Sequence, residues 1–156
     1  MNTADICDGN ADVVKVCSKT FQKYGRKGMF HGCIRTVKCW QDNSMVKKLL
    51  NSPGQGNVLV VDGQGCMNRA LLGDQIAQAM MDNKWEGVII NGFIRDSELV
   101  SSMDVGVRAL GTCPMKTVKL DKGEIDIPIS FGDIEFIPGQ YVYCDQDGIV
   151  TTPGKV

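Results

Sequence analysis

The sequence predicts an α/β fold with a parallel βαβ core and a β-rich C-terminal third, and three observations carry the prediction. "NVLVVDG" (57–63) is a continuous apolar run rich in β-branched residues that ends in Asp-Gly, the pattern of a strand buried on both faces. "DQIAQAMMDNKW" (74–85) then spaces apolar residues at helical intervals, and a second buried run, "GVIING" (87–92), follows at once. Beyond Pro114 the pattern changes: "DIPISFGDIEFIPGQYVYCDQDGIVTTP" (126–153) alternates and is punctuated by Gly, Pro and Asp-Gly, as antiparallel β-structure is.

From the N-terminus, "TADICDGNADVVKVCSKTFQKYG" (3–25) reads as short helical pieces broken at Gly9 and ending at Gly25. "MFHGCIRTVKCW" (29–40) alternates enough to be a strand. "DNSMVKKLLNSPG" (42–54) reads as a short helix capped by Asp or Ser and stopped by Pro53-Gly54. After the first buried strand, "CMNRALLG" (66–73) is extended or turn-like. The helix from Asp74 is expected to bury a face formed by Ile76, Ala79, Met80 and Asn83. "RDSELVSSM" (95–103) suggests a further short helix and "DVGVRALG" (104–111) a third strand. With no repeat, low-complexity linker or composition break, residues 1–156 are expected to form a single domain.

Composition narrows the function classes. Hydrophobic residues make up 43% and charged residues 22%, and the net charge of −1 comes with scattered cations, so no footprint for nucleic acid is expected. The longest apolar runs fall far short of the roughly 20 residues a membrane span needs. The polar, acidic start "MNTADICDGNADV" lacks the charge and apolar pattern of a leader, so the expected compartment is the cytoplasm. Seven cysteines, none at C-x-x-C spacing, read as reduced, mostly buried thiols. His31 is the single histidine, which excludes a metal site built on several histidines and favours a structural role for His31 itself.

The chemistry points to the βαβ unit. A parallel crossover brings the carboxyl ends of its two strands to one sheet edge, where open α/β sheets bind ligands. The helix start at Gly73-Asp74-Gln75-Ile76 offers unpaired N–H groups and a positive dipole end, suited to an anion. Arg95 leaves the neighbouring strand at the same edge and can grip a carboxylate in bidentate fashion. Asp96 is a hard oxygen ligand for Mg²⁺ or Mn²⁺. Together they suit a small 2-oxo acid whose enolate a metal stabilises, as in aldol cleavage and β-keto-acid decarboxylation. Residue by residue, plainer roles stand beside these: Asp74 as a helix cap, Arg95-Asp96 as a solvated pair. A Schiff-base route through Lys84, Lys116 or Lys119 is the other chemistry open to an aldolase, but the pattern places none of these lysines at the crevice.

The segments "RTVKCWQDN", "GNVLVVDGQGCMNRALLGDQIAQAMMDNKWEGVIINGFIRD", "MDVGVRALGTCPMK" and "DIPISFGDIEFIPGQYVYCDQDGIV" resemble, in order, the RraA-like family. That family comprises the regulators of ribonuclease E activity and the related class II 4-hydroxy-4-methyl-2-oxoglutarate aldolases. Its aldolase signature, Asp, twenty intervening residues, then Arg-Asp, matches Asp74 and Arg95-Asp96. The resemblance implies that Arg95 binds the pyruvyl carboxylate and steadies the enolate. It further implies that Asp96 holds the divalent metal largely through waters, that Asp74 orients a metal-bound water, and that backbone groups of Gly73, Asp74, Gln75 and Ile76 complete the pocket. It implies a layered α/β/β swivelling-type domain assembled as a homotrimer or a dimer of trimers. The activities implied are aldol cleavage, oxaloacetate decarboxylation or, for a non-catalytic member, inhibition of a ribonuclease partner by protein contact.

Overall fold

The alternation of side chains along the buried strands dictates two separate apolar faces, and the computed structural model, which describes residues 2–156, covers both. The chain begins with α1 (Thr3–Gly9), β1 (Lys15–Val16), β2 (Gln22–Tyr24) and β3 (Phe30–Lys38). It continues through α2 (Ser44–Leu50), β4 (Asn57–Asp62), α3 (Asp74–Asp82), β5 (Gly87–Ile94), α4 (Ser97–Ser102) and β6 (Val107–Thr112). Five short strands complete it: β7 (Glu124–Ile125), β8 (Ile129–Phe131), β9 (Ile134–Phe136), β10 (Tyr141–Cys144) and β11 (Ile149–Thr152).

Strands β3, β4, β5 and β6 lie side by side and parallel, each joined to the next through one of the helices α2, α3 and α4. The full sheet runs β1-β11-β10-β3-β4-β5-β6-β2, with β7 paired to β3 beyond the reach of β10. Leu59 and Val61 of β4, with Val88 and Ile90 of β5, pack beneath Val46, Leu50, Ala77, Met80 and Val100 of the helices. Val58, Val60 and Ile89 point the other way, onto Ile129, Phe131 and Phe136 of the β8–β9 hairpin. The result is a layer of helices, a mixed sheet and a small β layer, the expected α/β/β arrangement. No helix among the described residues is long and apolar enough to cross a membrane.

Three local expectations are corrected. The second helical piece before Gly25 is instead two edge strands, β1 on β11 and β2 on β6, at opposite ends of the sheet. The reason is tertiary: exposed sheet edges offer unpaired backbone groups that a short segment takes up whatever its local preference. The caps differ in part from expectation: Asn43 occupies the α2 cap position while the expected Asp42 accepts the Ser44 N–H from one residue earlier, and Gly73 rather than Asp74 caps α3. On α3 the buried face is Ala77 and Met80, with Ile76 packed beside them and Ala79 only half-buried. That rotation follows from Trp85, buried at the helix exit, and from α2 lying alongside.

The seven cysteines are all free thiols, four buried and three half-buried. Burial, reinforced by Asp62, Asp42 and Cys66, pushes Cys39 up to about 12, and burial likewise pushes Cys144 up to about 12. These thiols are held protonated and act as small apolar groups.

The ring of Phe30 is clamped between two glycines. A Cβ on Gly87 would lie 2.2 Å from Phe30 Cδ2, and one on Gly106 2.4 Å from Cδ1. Overpacking of this kind costs about 1–3 kcal/mol, so Gly87→Ala is expected to lower the urea midpoint with an unchanged slope.

Candidate active site

The carboxyl ends of the parallel strands open at one edge, and the loop after β4 decides what meets there. Residues 63–73 cross the exit of β5, where Ala70 forms parallel bridges to Phe93 on one side and Lys116 on the other. The Leu71 N–H donates to Phe93 O at 2.8 Å, the Ala70 N–H to Met115 O at 2.7 Å, and the Arg95 N–H to Leu72 O at 2.9 Å. The extended piece expected from "CMNRALLG" is thus an extra rung that carries Gly73 against Arg95-Asp96. A side chain at Gly73 would collide, its Cβ lying 2.8 Å from Asp96 Oδ2.

Asp96 adopts a left-handed backbone (φ 55°), uncommon outside Gly, Asn and Asp. It stands at the cap position of α4, yet its side chain makes no bond to that helix. Its Oδ2 instead accepts the Asp74 N–H at 3.1 Å, which sets the carboxylate on the positive end of α3. One amide of the expected anion site is therefore already taken by Asp96, leaving Gln75 and Ile76 to face a ligand. Arg95 Nε lies 4.0 Å from Asp96 Oδ2, with the two side chains 40% and 34% exposed, so the guanidinium keeps donors free. The Asp74 carboxylate, at the same helix start, has no hydrogen bond or ion pair among the described residues.

These residues line a cleft of about 280 Å³. Lys47 of α2 and Asn51 just beyond that helix also line it, together with Lys116 and Lys119 from the loop after β6. That corrects the expectation for the lysines. Lys84 is not among the lining residues, whereas Lys116 and Lys119 are. The signal was available, because a third parallel strand must release its following loop at the same edge. Partial burial, then the neighbouring charges of Lys47, Lys116 and Arg95, lower the Lys119 pKa from its usual value, opposed only by Asp42. A slightly larger depression of about 310 Å³ beside His31 and Tyr143 brings together no comparable set, and the His31 ring is stacked on Tyr143 at 5.5 Å.

Asp42 and Asn43 fix the cationic loop. Buried Asp42 accepts the Ser44 N–H at 2.8 Å, the Ser44 Oγ–H at 2.5 Å, the Leu120 N–H at 2.7 Å and the Lys122 N–H at 3.3 Å. Asn43 donates to Leu71 O at 2.9 Å and accepts the Thr117 hydroxyl at 2.6 Å. Both residues lie outside the expected site set.

The acid groups suit a weakly held hard cation. No cluster of three or more His, Cys, Asp or Glu side chains able to hold a metal exists among the described residues. Asp96, helped at most by Asp74, would leave the remaining positions to waters and substrate, the manner in which Mg²⁺ is usually bound.

The family model described as RraA-like, Aldolase/RraA, matches residues 3–151. The chain belongs to the RraA-like family. A protein of Aromatoleum aromaticum named "Putative 4-hydroxy-4-methyl-2-oxoglutarate aldolase" is 49% identical over 154 residues, covering 99% of this chain and 97% of the relative. Among solved structures, one described as an S-adenosylmethionine: 2-dimethylmenaquinone methyltransferase from Geobacillus kaustophilus superposes with a TM-score of 0.98 at 46% identity. It covers 100% of this chain and 97% of that one. The RNA-processing inhibitor RraA from Thermus thermophilis superposes with a TM-score of 0.97 at 33% identity, covering 100% and 94%. The RraA-like fold is thus shared by proteins carrying an aldolase, a methyltransferase and a regulator name, and the side chains in the cleft must decide between them.

Proposed function

We propose that this RraA-like chain is a divalent-metal-dependent lyase that acts on 2-oxo acids through a pyruvate enolate. The observation that carries the reading is the meeting of Asp74, Arg95 and Asp96 at the start of α3, on an open cleft. Arg95, with the Gln75 and Ile76 amides, binds the pyruvyl carboxylate and fixes the plane of the 2-oxo group. Asp96, with Asp74 nearby, would hold Mg²⁺ or Mn²⁺, and the ion would supply Lewis-acid stabilisation of the enolate charge. Asp74, its carboxylate unpaired, holds a water that takes the proton of the 4-hydroxyl. The C3–C4 bond then breaks: the C4 fragment leaves as one pyruvate, its hydroxyl oxygen now the carbonyl, the electron pair of the bond passes to the enolate, and protonation of that enolate at C3 gives the second pyruvate. For oxaloacetate the departing group is carbon dioxide and the same enolate forms. The aldolase name of the 49% identical relative supports the lyase class. The family model's reach over residues 3–151 supports a single RraA-like domain, and the trimeric ring implied by the family goes with this reading as its assembly.

Pyruvate release from 4-hydroxy-4-methyl-2-oxoglutarate and from oxaloacetate is expected with Mg²⁺ and to stop on chelation. Arg95→Ala is expected to raise KM by about 10–100-fold, since a charge-assisted hydrogen bond contributes about 1.5–3 kcal/mol. A wild-type chain that releases no pyruvate with any divalent metal sinks the proposal. The likeness to the Thermus RNA-processing inhibitor supports a second reading, a non-catalytic protein that inhibits a ribonuclease by contact. Inhibition of a ribonuclease that survives Arg95→Ala, without lyase activity in the wild type, favours it.

A further inference from the structure

We infer that Arg108 and Lys23 form a second binding site, for the carboxylate of a small monocarboxylic acid, on the sheet face turned away from α2, α3 and α4. The site shares no residue with the cleft at α3 and does not rest on the lyase reading.

Alternation along β6 sends Val107 and Ala109 into the core under the helices. Arg108 between them therefore points the other way, beside Ile89 of β5, and is 4% exposed. A guanidinium so deeply buried is ordinarily paired with a carboxylate, because burying a lone charge is costly. Arg108 forms no ion pair among the described residues. Its Nη2 donates to Gly28 O at 2.7 Å, its Nη1 reaches Val107 O only at 3.4 Å, and its Nε–H donates to nothing among the described residues. The Phe30 ring, 5.6 Å from the guanidinium carbon, supports the cation without neutralising it.

A second cation joins it. Lys23 stands directly opposite Arg108 in the β2–β6 pair, so both side chains share one face. The Lys23 Nζ lies 3.9 Å from where a Cβ on Gly28 would stand, the residue whose carbonyl Arg108 holds. Lys23 also forms no ion pair among the described residues.

Both cations line a cavity of about 340 Å³, and the two carboxylates there do not answer them. Asp145 turns both oxygens to Thr3, accepting its N–H and its hydroxyl at 2.7 Å each, and Asp147 forms no ion pair. With Lys19, the lining holds three cations against these two acids, an excess of one positive charge. A singly charged anion balances that excess, whereas a doubly charged one reverses it. A carboxylate also matches the planar donor fork of an arginine. Phe21 and Ile149 offer an apolar wall to the rest of the molecule.

The probe is butanoate, titrated calorimetrically without divalent metal into the whole chain carrying Arg95→Ala, in which the cleft has lost its arginine. One site is expected, with butanoate held about tenfold more tightly than acetate, since each buried CH₂ contributes a factor of about four. Adding Lys23→Met, at an exposed position, is expected to weaken butanoate by at least about tenfold while the thermal midpoint without ligand stays the same. Arg108→Lys keeps the charge but not the fork and is expected to weaken it by about tenfold as well. Sulfate, a dianion, is expected to bind more weakly than butanoate. No binding of butanoate, or an affinity that neither substitution moves, makes Arg108 a purely structural cation and overturns the inference. Sulfate bound more tightly than butanoate overturns the ligand class. A change of oligomeric state on Lys23→Met, seen by sedimentation, also overturns it, because a neighbouring copy's carboxylate is then the occupant.

Discussion

Asp96→Asn is expected to lower metal-dependent pyruvate release by about three orders of magnitude with little change in stability. The substitution is chosen for its backbone: Asn tolerates the left-handed conformation at this position, and its amide oxygen can still accept the Asp74 N–H. The negative charge is what disappears. Lewis-acid stabilisation of the developing enolate contributes several kcal/mol, and each 1.36 kcal/mol is a factor of about ten in rate. The loss should appear in kcat, with the Mg²⁺ concentration for half-maximal activity shifted upward and the thermal midpoint near that of the wild type. A variant with normal turnover removes Asp96 from the metal site. Gly73→Ala probes the same geometry from the other side, since a Cβ 2.8 Å from Asp96 Oδ2 must push the carboxylate off its amide.

Asp42→Ala is expected to cost about 2–3 kcal/mol of stability in urea denaturation. The carboxylate is 4% exposed and satisfies the amides of Ser44, Leu120 and Lys122, so its removal leaves buried donors without partners. Burial pushes the Asp42 carboxyl up, but the hydrogen bonds from Ser44, Leu120 and Lys122 outweigh it and leave its pKa below the usual 3.8. A carboxyl whose pKa is lower in the folded state contributes stability that is fully present above the unfolded value. That contribution is lost as pH falls through the folded pKa, so the window lies below about pH 4. Stability measured against pH should therefore fall in that window in the wild type, and the fall should be smaller in Asp42→Ala. Identical acid limbs for the two proteins would show that Asp42 titrates normally. Asp42 does not line the cleft but fixes the loop that presents Lys116 and Lys119.

The strands and helices of the βαβ unit were legible because each is specified by its own neighbours. Val58–Val61 and Val88–Ile90 bury both faces, so a continuous apolar run is the direct imprint of their position. The pairing of Asp74 with Arg95-Asp96 was legible for a related reason. Parallel connection through one helix leaves little freedom in where a helix start and the next strand's exit can lie. The two edge strands β1 and β2 were not legible, since their conformation is set by the open sheet edges they fill and not by their own residues.

The sequence by itself determined the parallel core, the edge at which chemistry is possible and the acid and arginine residues gathered there. Only the tertiary structure decided how the Asp96 carboxylate is aimed and which cations face it. Asp96 turns from its own helix to the amide of Asp74 because a left-handed backbone and the bare Gly73 permit that approach. Lys47, Lys116 and Lys119 converge because buried Asp42 and Asn43 bind a loop some 75 residues further along the chain. Contacts of that range depend on how separate segments pack, and local pattern carries no record of them.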